Sequence, residues 1–201
     1  LLFTCRPDLI TPVPGDIAAL ATRATSGPSL VRAIEGLNQW QFAVLEACMA
    51  LNEPFTPATI VKATEKGAEK VVTELYERGL IYKVSEGYRV PRAIHDFIGQ
   101  TPAGLGPVSI AKLDFKKLKD APKPALDLLA KLTWGSAKGT VSDIRKRGTP
   151  IAWLIENHFL IPMDQTTVVV PRELGLHLRG GKVHQSYLTS APEVSGDKRK
   201  Q

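Results

Sequence analysis

Leu75-Tyr-Glu-Arg-Gly-Leu-Ile-Tyr82, followed by Val90-Pro91-Arg92, and Leu154-Ile-Glu-Asn-His-Phe-Leu-Ile161, followed by Val170-Pro171-Arg172, are one pattern written twice. The glutamates at 77 and 156 lie 79 positions apart, and the prolines at 91 and 171 lie 80 apart. A period of that length exceeds a solenoid unit and suits a small domain. In each copy a helical apolar spacing ends at Gly79 or His158. Two short runs of strand-forming residues follow, and a proline opens the next helix. Three helices and then a two-stranded hairpin is the order of a winged-helix domain, a variant of helix-turn-helix. Apolar periodicity alone leaves other small α+β folds open. The repeat favours the winged helix because it keeps the junction from third helix through hairpin to closing helix.

Working outward, the spacing predicts a mainly α (α+β) chain with two winged-helix-like modules. Residues 1–36 hold short helices that pack on the first module, with 1–15 irregular, Asp16 capping a helix through Ala24, and Pro28 opening another that Gly36 ends. Residues 37–99 form the first module. Asn38 and Gln41 have the shape of a capping box, Trp40 through Leu51 carry a broad apolar face, and Thr56-Pro57 opens a short second helix. The third helix, about 67–78, turns Val71, Val72, Leu75 and Tyr76 inward. Residues 100–121 read as a lysine-rich linker with a turn of helix around Ile110 and Leu113. Residues 122–181 form the second module, in which 140–144 stands where a second helix is expected. Residues 182–201 are polar, lack periodicity and read as a disordered tail.

The 201 residues carry 43% hydrophobic side chains, enough for a buried core. No apolar run reaches the roughly 20 residues that a membrane helix needs. Two cysteines cannot make a disulfide framework, and Cys48 in an apolar run reads as a buried thiol. The expected setting is therefore cytoplasmic, nucleoid-associated if DNA is the partner, with no membrane contact. The chain starts at Leu1 without an initiator Met or a signal peptide, and is expected to be a piece of a longer protein.

Charge divides the halves. Residues 1–97 hold 10 basic and 11 acidic side chains, whereas 98–201 hold 16 and 9, a net of −1 against +7. Such asymmetry points the second half at a polyanion. The third helix of the first copy, with Glu65, Lys66, Glu69, Lys70, Glu74, Glu77 and Arg78, suits a solvated or protein-facing surface better than phosphates. In the second copy Arg145-Lys146-Arg147 precedes the helix, Lys138 lies in the loop before, and Thr149 caps a helix end rich in N–H donors. Together with Lys112, Lys116, Lys117 and Lys119 of the linker, these are the candidate nucleic-acid contacts. Trp153 joins them. It aligns with Glu74, so its expected place is an outer helix face, against the inter-module segment, a partner or a base. Trp40 and Trp134 are expected in the core.

Little in the pattern points to catalysis, and an enzyme reading would put the active site elsewhere in a parent protein. There is no phosphate-binding Gly-rich loop, since Gly135-Ser-Ala-Lys-Gly139-Thr has the wrong order. The histidines 95, 158, 177 and 184 lack ligand spacing, and His158 reads as a helix-end residue. We expect no catalytic residues, metal or cofactor. The partners expected are DNA, through the second module, and other domains of a parent protein or a separate protein that uses the winged-helix surfaces.

Arg6-Pro7-Asp8-Leu9 with its proline-rich turn, Ala18 through Ala24, Val44-Leu45-Glu46, Pro102-Ala-Gly-Leu-Gly-Pro107, and Val170-Pro171-Arg172-Glu173 with Leu178-Arg-Gly-Gly181 resemble the N-terminal region of actinobacterial helicase-associated proteins. That region is similar to a non-ATPase domain of XPB-type DNA-repair helicases. The resemblance spans the chain to about Gly181 and implies a larger parent protein engaged in DNA transactions. The helicase motor motifs are absent from this sequence, so ATPase activity does not carry over.

Overall fold

The computed structural model describes residues 2–142 and 144–187. It is mainly helical, with two small antiparallel sheets. The chain opens with α1 (Leu2–Cys5), a 3-10 turn (Pro7–Leu9), α2 (Ile17–Ala24) and α3 (Gly27–Glu35). The first copy of the repeat follows as α4 (Gln39–Ala50), α5 (Pro57–Ala63), α6 (Ala68–Glu77), β1 (Tyr82–Val84), β2 (Gly87–Arg89) and α7 (Arg92–Ile98). The second copy comprises α8 (Lys123–Leu132), β3 (Lys138–Thr140), α9 (Pro150–Glu156), β4 (Ile161–Pro162), β5 (Thr167–Val169) and α10 (Arg172–Leu178).

Local chemistry sets these boundaries. The Asn38 side chain accepts from the Gln41 amide at 2.8 Å while the Gln41 side chain accepts from the Asn38 amide at 3.0 Å, so two orphan donors of α4 are satisfied. Thr56 caps α5 in the same reciprocal way with Thr59, and Pro57 supplies a first-turn residue that has no N–H to satisfy. Helices α6 and α9 end alike. Gly79 sits at φ +69° and His158 at φ +61°, and each turn closes with a bond back to the helix, Leu80 N–H to Leu75 O at 3.0 Å and Phe159 N–H to Leu154 O at 2.8 Å. Left-handed backbone is natural to glycine and strained for histidine. The repeat thus reproduces the same helix end with different residues.

Each copy has its own core. Leu45, Cys48, Phe55, Ile60, Leu75, Leu80 and Ile94 anchor the first, joined by Leu30 and Ala33 of α3. Burial pushes the Cys48 thiol far above its ordinary value, so it is an inert apolar side chain. Leu129, Leu154, Phe159, Val168 and Leu174 anchor the second. The sheets share a strand order. In the second copy it is β3-β5-β4, and in the first a single bridge, Phe55 to Tyr88, places the segment before α5 beside β2 as β3 lies beside β5. The second copy has no middle helix among its described residues; 141–142 and 144–148 run as turns, and Asp143 lies outside the description.

Several expectations change. Residues 2–15 are partly ordered: Arg6 and Leu9 are buried, and Arg6 binds Asp8 and Ser29. Helix α2 buries no residue, whereas α3 contributes Leu30 and Ala33 to the first core. Tyr76 faces out, edge-on to Tyr88. Ile110 lies in no helix and is wholly exposed; the helical turn comes later, at Phe115–Asp120. Residues 182–187, expected as tail, pack on the fold. Val183 is fully buried with Leu105, Ala47, Ala50 and Ala63 in a third apolar cluster between the copies, and residues 188–201 lie outside the described residues.

The two copies are joined by basic side chains that cap helix ends from afar. Arg172 of α10 donates to Met49 O at 3.1 Å, Gly106 O at 3.2 Å and Gln100 O at 2.8 Å. Met49 is in the last turn of α4, where carbonyls have no intrahelical partner. Arg179 does the same for Thr133, Ala103 and Val183. The carbonyl of Ala63, which ends α5, accepts from Val183 N–H at 3.0 Å and the Tyr187 hydroxyl at 3.2 Å. Burial lowers the pKa of both arginines, and several carbonyl dipoles stand where a carboxylate partner is usual. Gly106 permits the close approach: a Cβ there would lie 2.0 Å from Val170 O.

Candidate nucleic-acid interface

The expected linker is folded onto the second copy. Leu113, Phe115 and Leu118 pack on its core, and the Phe115 ring stacks on His177 at 4.2 Å with planes 3° apart. The Asp114 side chain starts the turn by accepting from the Lys116 amide. With Phe115 and Leu118 inward, Lys116, Lys117 and Lys119 are left exposed. Lys112 is exposed too, next to an apolar cleft formed by Ser109–Ala111 with Ile155, His158 and Leu160–Pro162.

Arg145, Lys146 and Arg147 are exposed on the loop entering α9. Hydrogen bonds from both of its ends hold this loop. The Ile144 amide donates to Gln165 O at 3.3 Å in the β4–β5 turn. The Thr149 hydroxyl donates to Lys146 O at 3.0 Å and accepts from the Ala152 amide at 3.1 Å. That second pair changes the expected role of Thr149. Its hydroxyl is engaged as donor and as acceptor, so Thr149 holds the basic loop against the start of α9. The β4–β5 turn is itself pinned by Asp164. Its carboxylate accepts from the amides of Thr166 at 2.8 Å and Thr167 at 2.7 Å, which hold it below the ordinary carboxylate range.

A cleft of about 230 Å³ opens next to the loop, lined by Pro122, Gly148, Thr149, Pro150, Ala152, Trp153 and Glu156. It brings the end of the lysine-rich turn against the start of α9. In sequence Lys123 follows Pro122 and Arg147 precedes Gly148, while Glu156 lines the cleft itself. Lys138 is elsewhere, in a small cleft with Thr101, Gly104, Ser136 and Ala137. Lys123 and Glu156 were not foreseen. Pro122 is 26 positions before Gly148 (148 − 122), and no spacing signal links them.

No family model, curated protein or solved structure matches this chain. Its chemistry is read from its own side chains.

Trp153 is half-buried. It packs on the second core with its ring 5.9 Å from Phe159, and it also lines the cleft. Glu74, its counterpart in the first copy, is itself half-buried and accepts from the Gln41 side chain at 2.7 Å, so that position does not mark an outer face. Trp134, expected in the core, is 42% exposed, with the Arg179 guanidinium 5.1 Å above its ring. Trp40 is half-buried against the first core and meets Tyr187 edge-on. His95 lies 3.7 Å from Glu53, and His184 Nε2 lies 3.0 Å from Glu46 Oε2 outside hydrogen-bond alignment. Among the described residues no three His, Cys, Asp or Glu side chains converge as a metal site requires, and no helix is long and apolar enough to cross a membrane.

Proposed function

We propose that this chain is a non-catalytic, nucleic-acid-associated part of a helicase-related protein, and that it meets DNA through its second copy. The observation that supports the reading is the run of exposed cations Arg145, Lys146 and Arg147 before α9, which ends next in sequence to Gly148 of the Trp153 cleft, with exposed Lys123 next to Pro122 of the same cleft. A cluster of that sign gains by releasing counterions from phosphates. The shared strand order, with the segment after the first helix beside the last strand, supports two winged-helix-like modules, the second lacking its middle helix. In a winged helix the third helix and the hairpin face the nucleic acid. On that reading the contact falls on α9, its basic loop and the β4–β5 turn, and the acidic-mixed α6 has another role.

A second reading has its own observation. The cleft of about 320 Å³ between Ser109–Ala111 and the end of α9 is apolar, and Val108, Ile110 and Met163 are exposed. An apolar cleft with exposed Ile110 in its lining favours a protein partner there.

Salt titration separates the two. DNA affinity is expected to fall steeply with added salt. Changing Arg145, Lys146 and Arg147 together to Ala is expected to lower the slope of log K against log salt by about 3, at about 0.9 per phosphate. Failure of both duplex and single-stranded DNA to bind at low salt refutes the nucleic-acid reading.

A further inference from the structure

We infer that the cleft between Pro122 and Trp153 holds one unstacked base of a single-stranded nucleic acid, with flanking phosphates on its basic rims. The inference rests on the proposed meeting of the second copy with nucleic acid and narrows its ligand from DNA in general to single strands.

A base presents flat apolar faces and polar edges. Pro122, Pro150, Ala152 and the Trp153 indole give the cleft its apolar lining, and Glu156 sets a carboxylate in it. Aromatic side chains bind bases through their faces, which every base has, and a carboxylate accepts from an exocyclic amine. The Trp153 ring is held by Phe159 and the second core, so little side-chain freedom is lost when a base stacks on it. In a duplex both faces of a base are covered by neighbours, and the cleft has nothing to accept. The rims supply the rest of a nucleotide's needs. The Lys146 backbone is held next to the cleft by the bond from the Thr149 hydroxyl to its carbonyl, Arg147 adjoins Gly148, and Lys123 follows Pro122. A strand that lays one base in the cleft has cations for the phosphates on either side. Charge of the opposite sign from a polyanion on both rims is what selects a nucleic acid over an apolar peptide.

The test uses the full chain with Trp40 and Trp134 changed to Phe, its fold checked by circular dichroism, so that emission reports Trp153 alone. Oligo-dC, oligo-dT and a duplex are titrated at low salt. The single strands are expected to quench Trp153, with oligo-dC tighter than oligo-dT because only cytosine offers Glu156 an amine. Ala152→Phe, which fills the cleft, is expected to weaken oligo-dC about tenfold. Glu156→Ala, at an exposed position, removes the acceptor and is expected to erase the preference for oligo-dC over oligo-dT; a preference that survives it overturns the contact to Glu156. Binding of both single strand and duplex with Trp153 emission unmoved overturns the base pocket and leaves the basic rim as the DNA contact. Equal oligo-dC affinity with and without Ala152→Phe also overturns it. Absence of binding by every probe overturns this inference and the nucleic-acid reading together.

Discussion

Arg172→Met tests the claim that a basic side chain couples the two halves. The wild-type guanidinium reaches three carbonyls, on Met49, Gln100 and Gly106. Gln100 is exposed, so its carbonyl regains water in the variant. Met49 and Gly106 are buried, and their carbonyls lose a charged donor. Each unsatisfied buried acceptor costs about 1–3 kcal/mol. Methionine keeps the apolar stem and spares the cost of desolvating a cation, which offsets part of this loss. A net destabilisation of about 3 kcal/mol is expected. For a chain of this size that corresponds to a fall in Tm of about 6–12 °C. The calorimetric transition should also broaden or split as the halves lose coupling. The repeat supplies its own control. Arg92 is the equivalent residue of the first copy, but its side chain is 93% exposed and only 3.7 Å ion-paired with Asp96. Arg92→Met is expected to change Tm by less than about 2 °C. The coupling argument is refuted if Arg172→Met melts with wild type, or if the two variants fall equally.

His158→Gly should stabilise the chain, because it relieves a left-handed histidine at φ +61°. The gain, after the extra freedom of an unfolded glycine, is about 0.5–1 kcal/mol, read as a higher urea midpoint at unchanged m; a midpoint that stays or falls counts against strain there. Asp8 should make stability acid-sensitive. Hydrogen bonds from Arg6, joined by Ser29, hold its carboxyl below the ordinary value against the opposing effect of burial. A depressed folded pKa contributes stability that is fully present above the unfolded value of about 3.9. That contribution is lost as pH falls from there through the folded value. Asp8→Asn should therefore lower Tm at pH 7 more than at pH 3, and an equal loss at both would show that its charge is immaterial.

Much of the scaffold was legible in the sequence because its signals are local. The Asn38–Gln41 box, Thr56-Pro57, Thr149-Pro150 and the Gly79 and His158 turns each involve residues within one helical turn, and all form as read. The basic loop at 145–147 was legible as charge. The cleft was not, because Pro122 and Trp153 meet only when the turn at Phe115–Asp120 folds onto the second core. Thr149 and Trp153 were read from position alone, and their surroundings changed both: one hydroxyl is engaged at both ends, and one indole is half in the core. The linker misread has the same cause. Its lysines look like tether until Phe115 and Leu118 find the second core.

By itself the sequence determined that one pattern occurs twice, where its helices begin and end, and which half carries the positive charge. These follow from caps, spacing and formal charge, which act over a few residues. Only the tertiary structure decided what the repeated Val-Pro-Arg means. Arg92 points into water, and Arg172 closes the junction between the halves. The residues that set this difference, Met49, Gln100 and Gly106, lie 123, 72 and 66 positions from Arg172. A side chain's role is fixed by the desolvated groups around it, and those are chosen by packing.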